Sequence, residues 1–480
     1  MLLVILIDIL VLAALVYVKS RRGFEATLPL AAFFLITFPE ESKISLFGLF
    51  DVTTQRFVTL LLISLSFGSR NQPGTLARHM PLSLWIGAIA FWWTLATLNS
   101  IAFVDSLKAL FSLILDYFAI YVLYVRHLSK VQTLRSIFFA VACGLIVCSV
   151  FGTIEAYGNW SVVSMFPAES HRFGSSGGLY LDDARGLRVQ STFGHPILFG
   201  SALAMGIPMT LYLLATSKSR MQSRILWIGL LFMFTSIFKT SSRGPWLALA
   251  GSLVPFLFFG RRQIRKYIVI ISILAVTVVI IRPGVWKTIW DDYVSTVDNH
   301  SSQGESYVYR YELYRLVVDK LDESPAHAIW GYGPQSFPYL HLSGTINGRG
   351  MEFVSCDSSI AALLVETGYM GLALMGTMFL YVLIFTIRTA SRSSHANGQL
   401  CILFFVNLLA FYFEMTNVAI LGWGQQTVLL WVIIAMIMSY PRLLRHSQRE
   451  SSSDVSDTEE VALVFEPLAG QRNSARLSLP

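Results

Sequence analysis

Charge is what this chain has least of. Asp, Glu, Lys and Arg make up 14% of its 480 residues, against 54% hydrophobic residues, and the mean hydropathy is +0.59. A soluble domain of that size could not cover its surface with so few charges, so a soluble fold is excluded. Cysteine is scarce as well, with four residues at Cys143, Cys148, Cys356 and Cys401. Cys143, Cys148 and Cys401 fall inside apolar runs and Cys356 has no evident partner, so no structural disulfide is expected. The chain has no CxxC and no HExxH, which leaves a metal without a ligand set; neither metal nor cofactor is expected. The net charge of +7 comes from basic residues in short loops between apolar runs. That is the signature of cytoplasmic loops, and no nucleic-acid partner is expected.

What the chain has in quantity is apolar runs. They cover Leu2–Val18, Ala26–Phe38, Phe57–Phe67, Leu82–Phe103, Leu107–Leu123, Ile137–Ala156 and Ile197–Leu214. The series continues with Ile225–Phe238, Trp246–Phe259, Tyr267–Ile281, Ile360–Ile387, Cys401–Ile420 and Thr427–Tyr440. A helical span needs roughly 17–25 residues, so the shorter runs are tilted, re-entrant or longer than drawn. The expected fold is an all-α polytopic membrane protein with about 11–14 transmembrane helices and a large, partly helical outer loop. Leu2–Val18 lacks a basic n-region and a clear small-residue cleavage site, and reads as a retained helix. The membrane domain covers residues 1–441, and a Ser-rich, charged tail at 446–480 is expected to be disordered and cytoplasmic.

The basic loops Lys19–Arg22, Arg70–His79, Arg126–Arg135, Lys218–Arg224, Arg261–Lys266 and Arg388–Arg392 fall at alternate connections, so all lie on one side. Parity puts two longer loops, 157–196 and 282–359, on the other. The turn Thr240-Ser241-Ser242-Arg243-Gly244-Pro245-Trp246 falls on that outer side too. Arg243 stands between two nearly uncharged runs. A lone guanidinium in hydrocarbon is costly, so it marks a membrane boundary or a polar cavity.

Most of the polar chemistry lies on the outer side. The first outer loop contains Asp182-Asp183-Ala184-Arg185-Gly186-Leu187-Arg188 and ends His195-Pro196. His195 reads as a helix-entry residue or as a secondary site candidate, and Arg185 is another. In the second outer loop, Glu305–Leu321 has helical spacing, with Tyr307, Tyr311, Tyr314, Val318 and Leu321 on one stripe. That pattern suits a helix lying on the membrane surface. Arg310 shares a side with Tyr314 and Val317, while Arg315 points away. A glycine-rich turn, Trp330-Gly331-Tyr332-Gly333-Pro334, and His341 follow. Asp357 precedes a span, where it reads as a helix N-cap or a general base. Arginines hold phosphate oxygens bidentately and keep their charge. Arg188, Arg243, Arg310 and Asp357 are therefore expected to converge on one outward cavity.

These segments resemble the O-antigen ligase and polymerase superfamily of bacterial inner-membrane glycosyltransferases. Arg188–Gly200 (RVQSTFGHPILFG) is similar to the family's Arg-x-x-Gly/Ser-Thr-Phe-x-x-Pro segment, and Thr240–Trp246 to its Ser-Arg-Gly-Ala-Trp turn. Arg310–Tyr314 resembles Arg-x-x-Leu-Trp, and Gly331–Phe337 resembles Gly-Val-Gly-x-x-x-Phe. The match continues through Val365-Glu366-Thr367-Gly368 to Gly371-Leu372. The resemblance implies a GT-C-like fold and a donor glycan on undecaprenyl diphosphate, used at the periplasmic face. It implies Arg243 and Arg310 as the essential arginines, with Arg188 as a third. Partners follow from it: membrane lipid, a glycan or lipid A–core acceptor, and a chain-length regulator as a further candidate. Ligases usually carry His-Asn where this chain has Asp357-Ser358, which favours a polysaccharide polymerase over a ligase. Tyr314 and His341 stand as secondary site candidates. A flippase for lipid-linked oligosaccharide is the rival from another class, although no internal repeat of the transporter kind is visible.

Overall fold

The computed structural model describes residues 2–46, 50–67, 80–167, 178–182, 185–281, 305–393, 395–422 and 424–464, with single positions at 284, 287, 290, 291 and 294. The helices are α1 (Leu2–Arg22), α2 (Thr27–Thr37), α3 (Thr54–Phe67), α4 (Ser83–Leu98), α5 (Phe103–Ser112), α6 (Ala119–His127), α7 (Val131–Gly158), α8 (Pro196–Thr216), α9 (Arg220–Lys239), α10 (Arg243–Phe259) and α11 (Arg262–Ile281). Beyond them come α12 (Glu305–Asp322), α13 (Pro325–Trp330), α14 (Ser359–Arg392), α15 (His395–Met415) and α16 (Gly424–Val464). A π-helical turn, Leu113–Phe118, joins α5 to α6 into one element. Three short antiparallel hairpins complete the described chain: β1 (Lys43–Leu46) with β2 (Phe50–Thr53), β3 (Tyr180–Asp182) with β4 (Gly186–Arg188), and β5 (Ser343–Ile346) with β6 (Arg349–Glu352).

Eight of the described helices are long and apolar enough to cross a membrane, and four shorter apolar helices accompany them. With α11 they answer the thirteen apolar runs one for one. The protein is an all-α polytopic membrane protein. Apolar side chains cover the outside of the bundle, as on Leu6, Leu10, Phe91, Leu231 and Ile273. Lipid tails can solvate such a surface and water cannot.

The inside is organised around α8, whose sequence is apolar all round and which is buried along nearly its whole length. A helix without a polar face belongs in the centre. It packs against α7, α9, α10 and α15. A second, smaller core sits over one end of the bundle, where Leu313, Val317 and Leu321 of α12 meet Tyr332, Phe337, Phe353 and Val365.

Two expectations are corrected here. The helix at Glu305–Leu321 exists, but its buried stripe is Leu313, Val317 and Leu321, while Tyr311 is exposed. It packs onto the hairpin β5–β6 and onto α14, so it is part of an outer cap. Leu313, Val317 and Leu321 fill the cap core, and Tyr314 and Val318 pack at its edge. The second correction concerns the tail. The last helix runs on to Val464, beyond His446, where irregular chain was expected. No glycine or proline interrupts the sequence between Pro441 and Pro467, so nothing local stops the helix.

A break in α14 explains two glycine segments at once. Gly368 has φ 68° and ψ −177° inside that helix, a conformation reserved for glycine. The break frees carbonyls, and the glycine-rich turn fills them: Tyr332 N donates to Val365 O at 2.9 Å and Gly333 N to Glu366 O at 3.0 Å. The turn is thus a clasp on α14, with its amides spent on the protein.

Candidate active site

The site is built outward from the Arg243 turn. Helix α9 ends at Lys239 and α10 begins at Arg243, so three residues reverse the chain. Trp246 Nε1 donates to Ile237 O at 2.8 Å, and its ring stacks on Phe238 with centroids 5.6 Å apart. These contacts tie the two helices together just inside the turn and hold Arg243 at that end of the bundle.

Arg188 braces this turn from below. Its Nε donates to Thr240 O at 3.1 Å, its Nη2 to Ser242 Oγ at 2.7 Å and its Nη1 to Asp182 Oδ2 at 3.2 Å. Arg185 shares the same carboxylate and donates to Ser241 O at 3.3 Å. The whole hairpin β3–β4 therefore serves to shape the Arg243 turn. Arg188 is 2% exposed and its donors are directed at the protein. Burial and neighbouring Arg185 lower its pKa to about 10, against the opposing pull of Tyr180 and Asp182, so it is still a cation at neutral pH. The expected convergence of Arg188 on the cavity is corrected: it stands behind the site.

Arg310 comes from the cap. Its Nη2 donates to Asn417 O at 3.1 Å, just past the end of α15. The companion Arg315 pairs with Glu312 at 2.5 Å on an exposed face. Glu414, one turn before Asn417, is fully buried. A side chain at Gly244 would start 3.2 and 3.3 Å from the Glu414 carboxyl oxygens and 3.6 Å from Asn417 Nδ2. The segment Glu414–Asn417 is thus wedged between the Arg243 turn and Arg310, and brings the two arginine-bearing segments to one corner. The available signal for Glu414 was a carboxylate inside the apolar run Cys401–Ile420, six residues before its end.

Asp357 lies beside this corner. Its Oδ1 accepts from Ser355 Oγ at 3.2 Å. The N-cap of α14 is Ser358, whose side chain accepts from Ala361 N, so capping does not fall to Asp357. Ser358 also bonds Tyr314 OH at 2.6 Å, and Ser359 bonds Val418 O, which fixes the start of α14 to the end of α15. Asp357 is open to solvent, yet the protein packed around it desolvates its carboxyl and pushes it above its ordinary pKa, while Arg310 and the Ser355 hydroxyl pull it back. A raised carboxyl near a fixed cation is a suitable proton acceptor.

The other secondary candidates fall elsewhere. His195 Nδ1 accepts from Ile197 N at 3.2 Å and caps α8. Burial, Arg188 and Arg185 push its pKa down to about 3, so it is a neutral cap at physiological pH. His341 is exposed and pairs with Glu352 at 2.9 Å on the β5–β6 hairpin. A cavity of about 670 Å³ is bordered by Ser355, Cys356 and Ser359 and by none of Arg188, Arg243, Arg310 or Asp357. It adjoins the candidate site from the Asp357 side.

With this geometry in view, residues 228–376 match the family model described as O-antigen ligase. The match takes in Arg243, Arg310, Asp357 and both glycine segments, and leaves out Arg188 and α15. No curated protein matches the chain. The match to the O-antigen ligase model supports the motif resemblance over these residues. The protein is a multi-pass membrane protein, and the match over residues 228–376 is consistent with glycosyl transfer.

Proposed function

We propose that this chain works at the periplasmic face of the bacterial inner membrane, moving a glycan from undecaprenyl diphosphate to a sugar hydroxyl and so polymerising repeat units. The observation that carries the proposal is the corner where Arg243 and Arg310 flank the Glu414–Asn417 segment with Asp357 beside it. The acceptor oxygen attacks the anomeric carbon of the donor. The bond from that carbon to the diphosphate breaks, and its electron pair leaves with the diphosphate. Arg243 and Arg310 bind the phosphate oxygens and stabilise the developing charge. Asp357 takes the hydroxyl proton. Guanidinium groups can supply the charge stabilisation that a divalent cation supplies elsewhere, so turnover is expected to survive a chelator.

The test is reconstitution in liposomes with lipid-linked repeat units, read as growth of longer glycans. A flippase would move the glycan across the bilayer without joining units. The family description favours a second reading, transfer of finished polymer to lipid A–core. A deletion strain separates the two. Single lipid-linked units accumulate if the chain is a polymerase, and long lipid-linked polymer accumulates if it is a ligase.

A further inference from the structure

The 670 Å³ cavity lies among β2, α3, α5, the π-helical turn, α14 and the residues leading into α16. Its volume is in the range of small-molecule sites, roughly 300–1,000 Å³. Its walls mix two chemistries. Trp93, Phe337, Tyr339 and Trp431 supply aromatic surface. Glu40, Asp51, Asp105, Asp116 and Glu366 supply carboxylates, against Arg56 and Lys108 as lining cations.

Those two cations are committed within the wall. Arg56 grips Asp116 with two nitrogens at 3.0 Å and also donates to Ser112 Oγ and Asp51 O, each at 2.6 Å. Lys108 pairs with Asp105 at 3.4 Å. A phosphate entering here would meet an excess of negative charge, so the diphosphate belongs at Arg243 and Arg310. Carboxylates accept hydrogen bonds from hydroxyls, and aromatic faces pack on the C–H faces of sugar rings. Deep in the same wall, Gln55 is 5% exposed and donates to Phe38 O, and its Oε1 accepts no hydrogen bond. Ser355 both borders the cavity and donates to Asp357.

We propose that this cavity is the binding site of the acceptor glycan, an uncharged, hydroxyl-rich oligosaccharide whose reacting hydroxyl emerges at Ser355 beside Asp357. The proposal rests on the glycosyl-transfer reading above. In a direct displacement the acceptor must approach the anomeric carbon opposite the leaving diphosphate. An acceptor on the Asp357 side and a diphosphate on the Arg243–Arg310 side satisfy that requirement. The new bond joins the acceptor oxygen to the anomeric carbon, the bond to the phosphate oxygen breaks with its electron pair, and the proton goes to Asp357.

Val354 is 69% exposed on the cavity rim and provides a reporter. Full-length Val354→Cys, with Cys356→Ser to leave one thiol in the wall, is labelled with a maleimide in liposomes. The probes are lipid-free repeat-unit oligosaccharide from the producing strain, inorganic diphosphate, and undecaprenol. The oligosaccharide at ten times its Kd is expected to slow labelling about tenfold, while the other two leave it unchanged. In parallel, Glu366→Gln and Tyr339→Phe are expected to raise the acceptor KM about fivefold each, the loss of one hydrogen bond, with the donor KM unchanged. Protection by diphosphate or undecaprenol instead of oligosaccharide would assign the cavity to the donor and overturn the proposal, as would no protection with unchanged acceptor KM. Wild-type turnover in the same liposomes keeps the two levels apart. Absent turnover retires the glycosyl-transfer reading, and turnover without protection retires only the acceptor site.

Discussion

Gly244 and Glu414 meet where two arginine-bearing segments come together. The Glu414 oxygens lie 3.2 and 3.3 Å from where a side chain at Gly244 would begin, so the turn carrying Arg243 seats directly on the end of α15. Arg310 holds the Asn417 carbonyl of the same segment. The distance between the arginines is therefore set by how closely the Gly244 backbone approaches Glu414.

That approach can be loosened in steps. Gly244→Ala asks the Glu414 carboxylate to give by a few tenths of an ångström and should leave membrane insertion intact. Its rate is expected to fall on the order of tenfold, and that of Gly244→Val on the order of 100-fold, because small misplacements of positioning groups are costly. Glycan extension in liposomes measures this against the amount of folded protein. A fully active Gly244→Val would show that the corner is not where the donor binds.

Arg243→Lys and Arg310→Lys keep the charge and lose the fork that fits two phosphate oxygens. Each is expected to cost on the order of 10²–10³-fold in kcat, the usual loss for one transition-state donor. Protein level and melting temperature should stay near wild type. Near-normal polymer from either variant would mean that these arginines only mark the membrane boundary.

Arg188 should behave in the opposite way. Its three donor atoms bind Thr240, Ser242 and Asp182 inside the protein. Arg188→Ala strips a buried network and is expected to cost about 3–5 kcal/mol in stability. The variant should accumulate poorly and melt early, and any loss of rate in the molecules that do fold should come with that loss of melting temperature. Purified protein with normal melting and no turnover would return Arg188 to the substrate.

The contrast between these arginines shows what the sequence could and could not reveal. Arg243 was legible because two apolar runs leave a cation no neutral place to be. The one-for-one agreement of runs and helices has the same origin, since a helix in lipid must satisfy its own backbone. Arg188 has the same residue type and lies on the same side, but its partners come from a turn 52 and 54 residues away, and no local pattern announces them. The role of Glu414 was hidden likewise, because it depends on a glycine in another helix. The stripe on α12 was misjudged because helical spacing alone offers more than one face, and the tertiary partner chooses. The clasp between Gly333 and the broken α14 needed both segments in space at once.

Asp357 makes the most exposed prediction. Ser358 caps α14, so Asp357→Asn should not unfold the helix start, and the variant is expected to melt normally. If Asp357 is the base, the same change should lower kcat on the order of 10²–10⁴-fold, the usual contribution of a positioned proton acceptor. The pH profile adds an independent reading. A base works only when deprotonated, so activity should fall as pH drops through the Asp357 pKa. Desolvation raises that pKa, so the acid limb should lie above the ordinary aspartate value of about 3.9. Arg310→Lys disturbs the cation that opposes this shift and should move the limb in whatever residual activity remains. Asp357→Asn should remove the limb altogether. A variant with full rate and an unchanged acid limb would place the proton acceptor at another group and leave the arginine pair as the centre of the site.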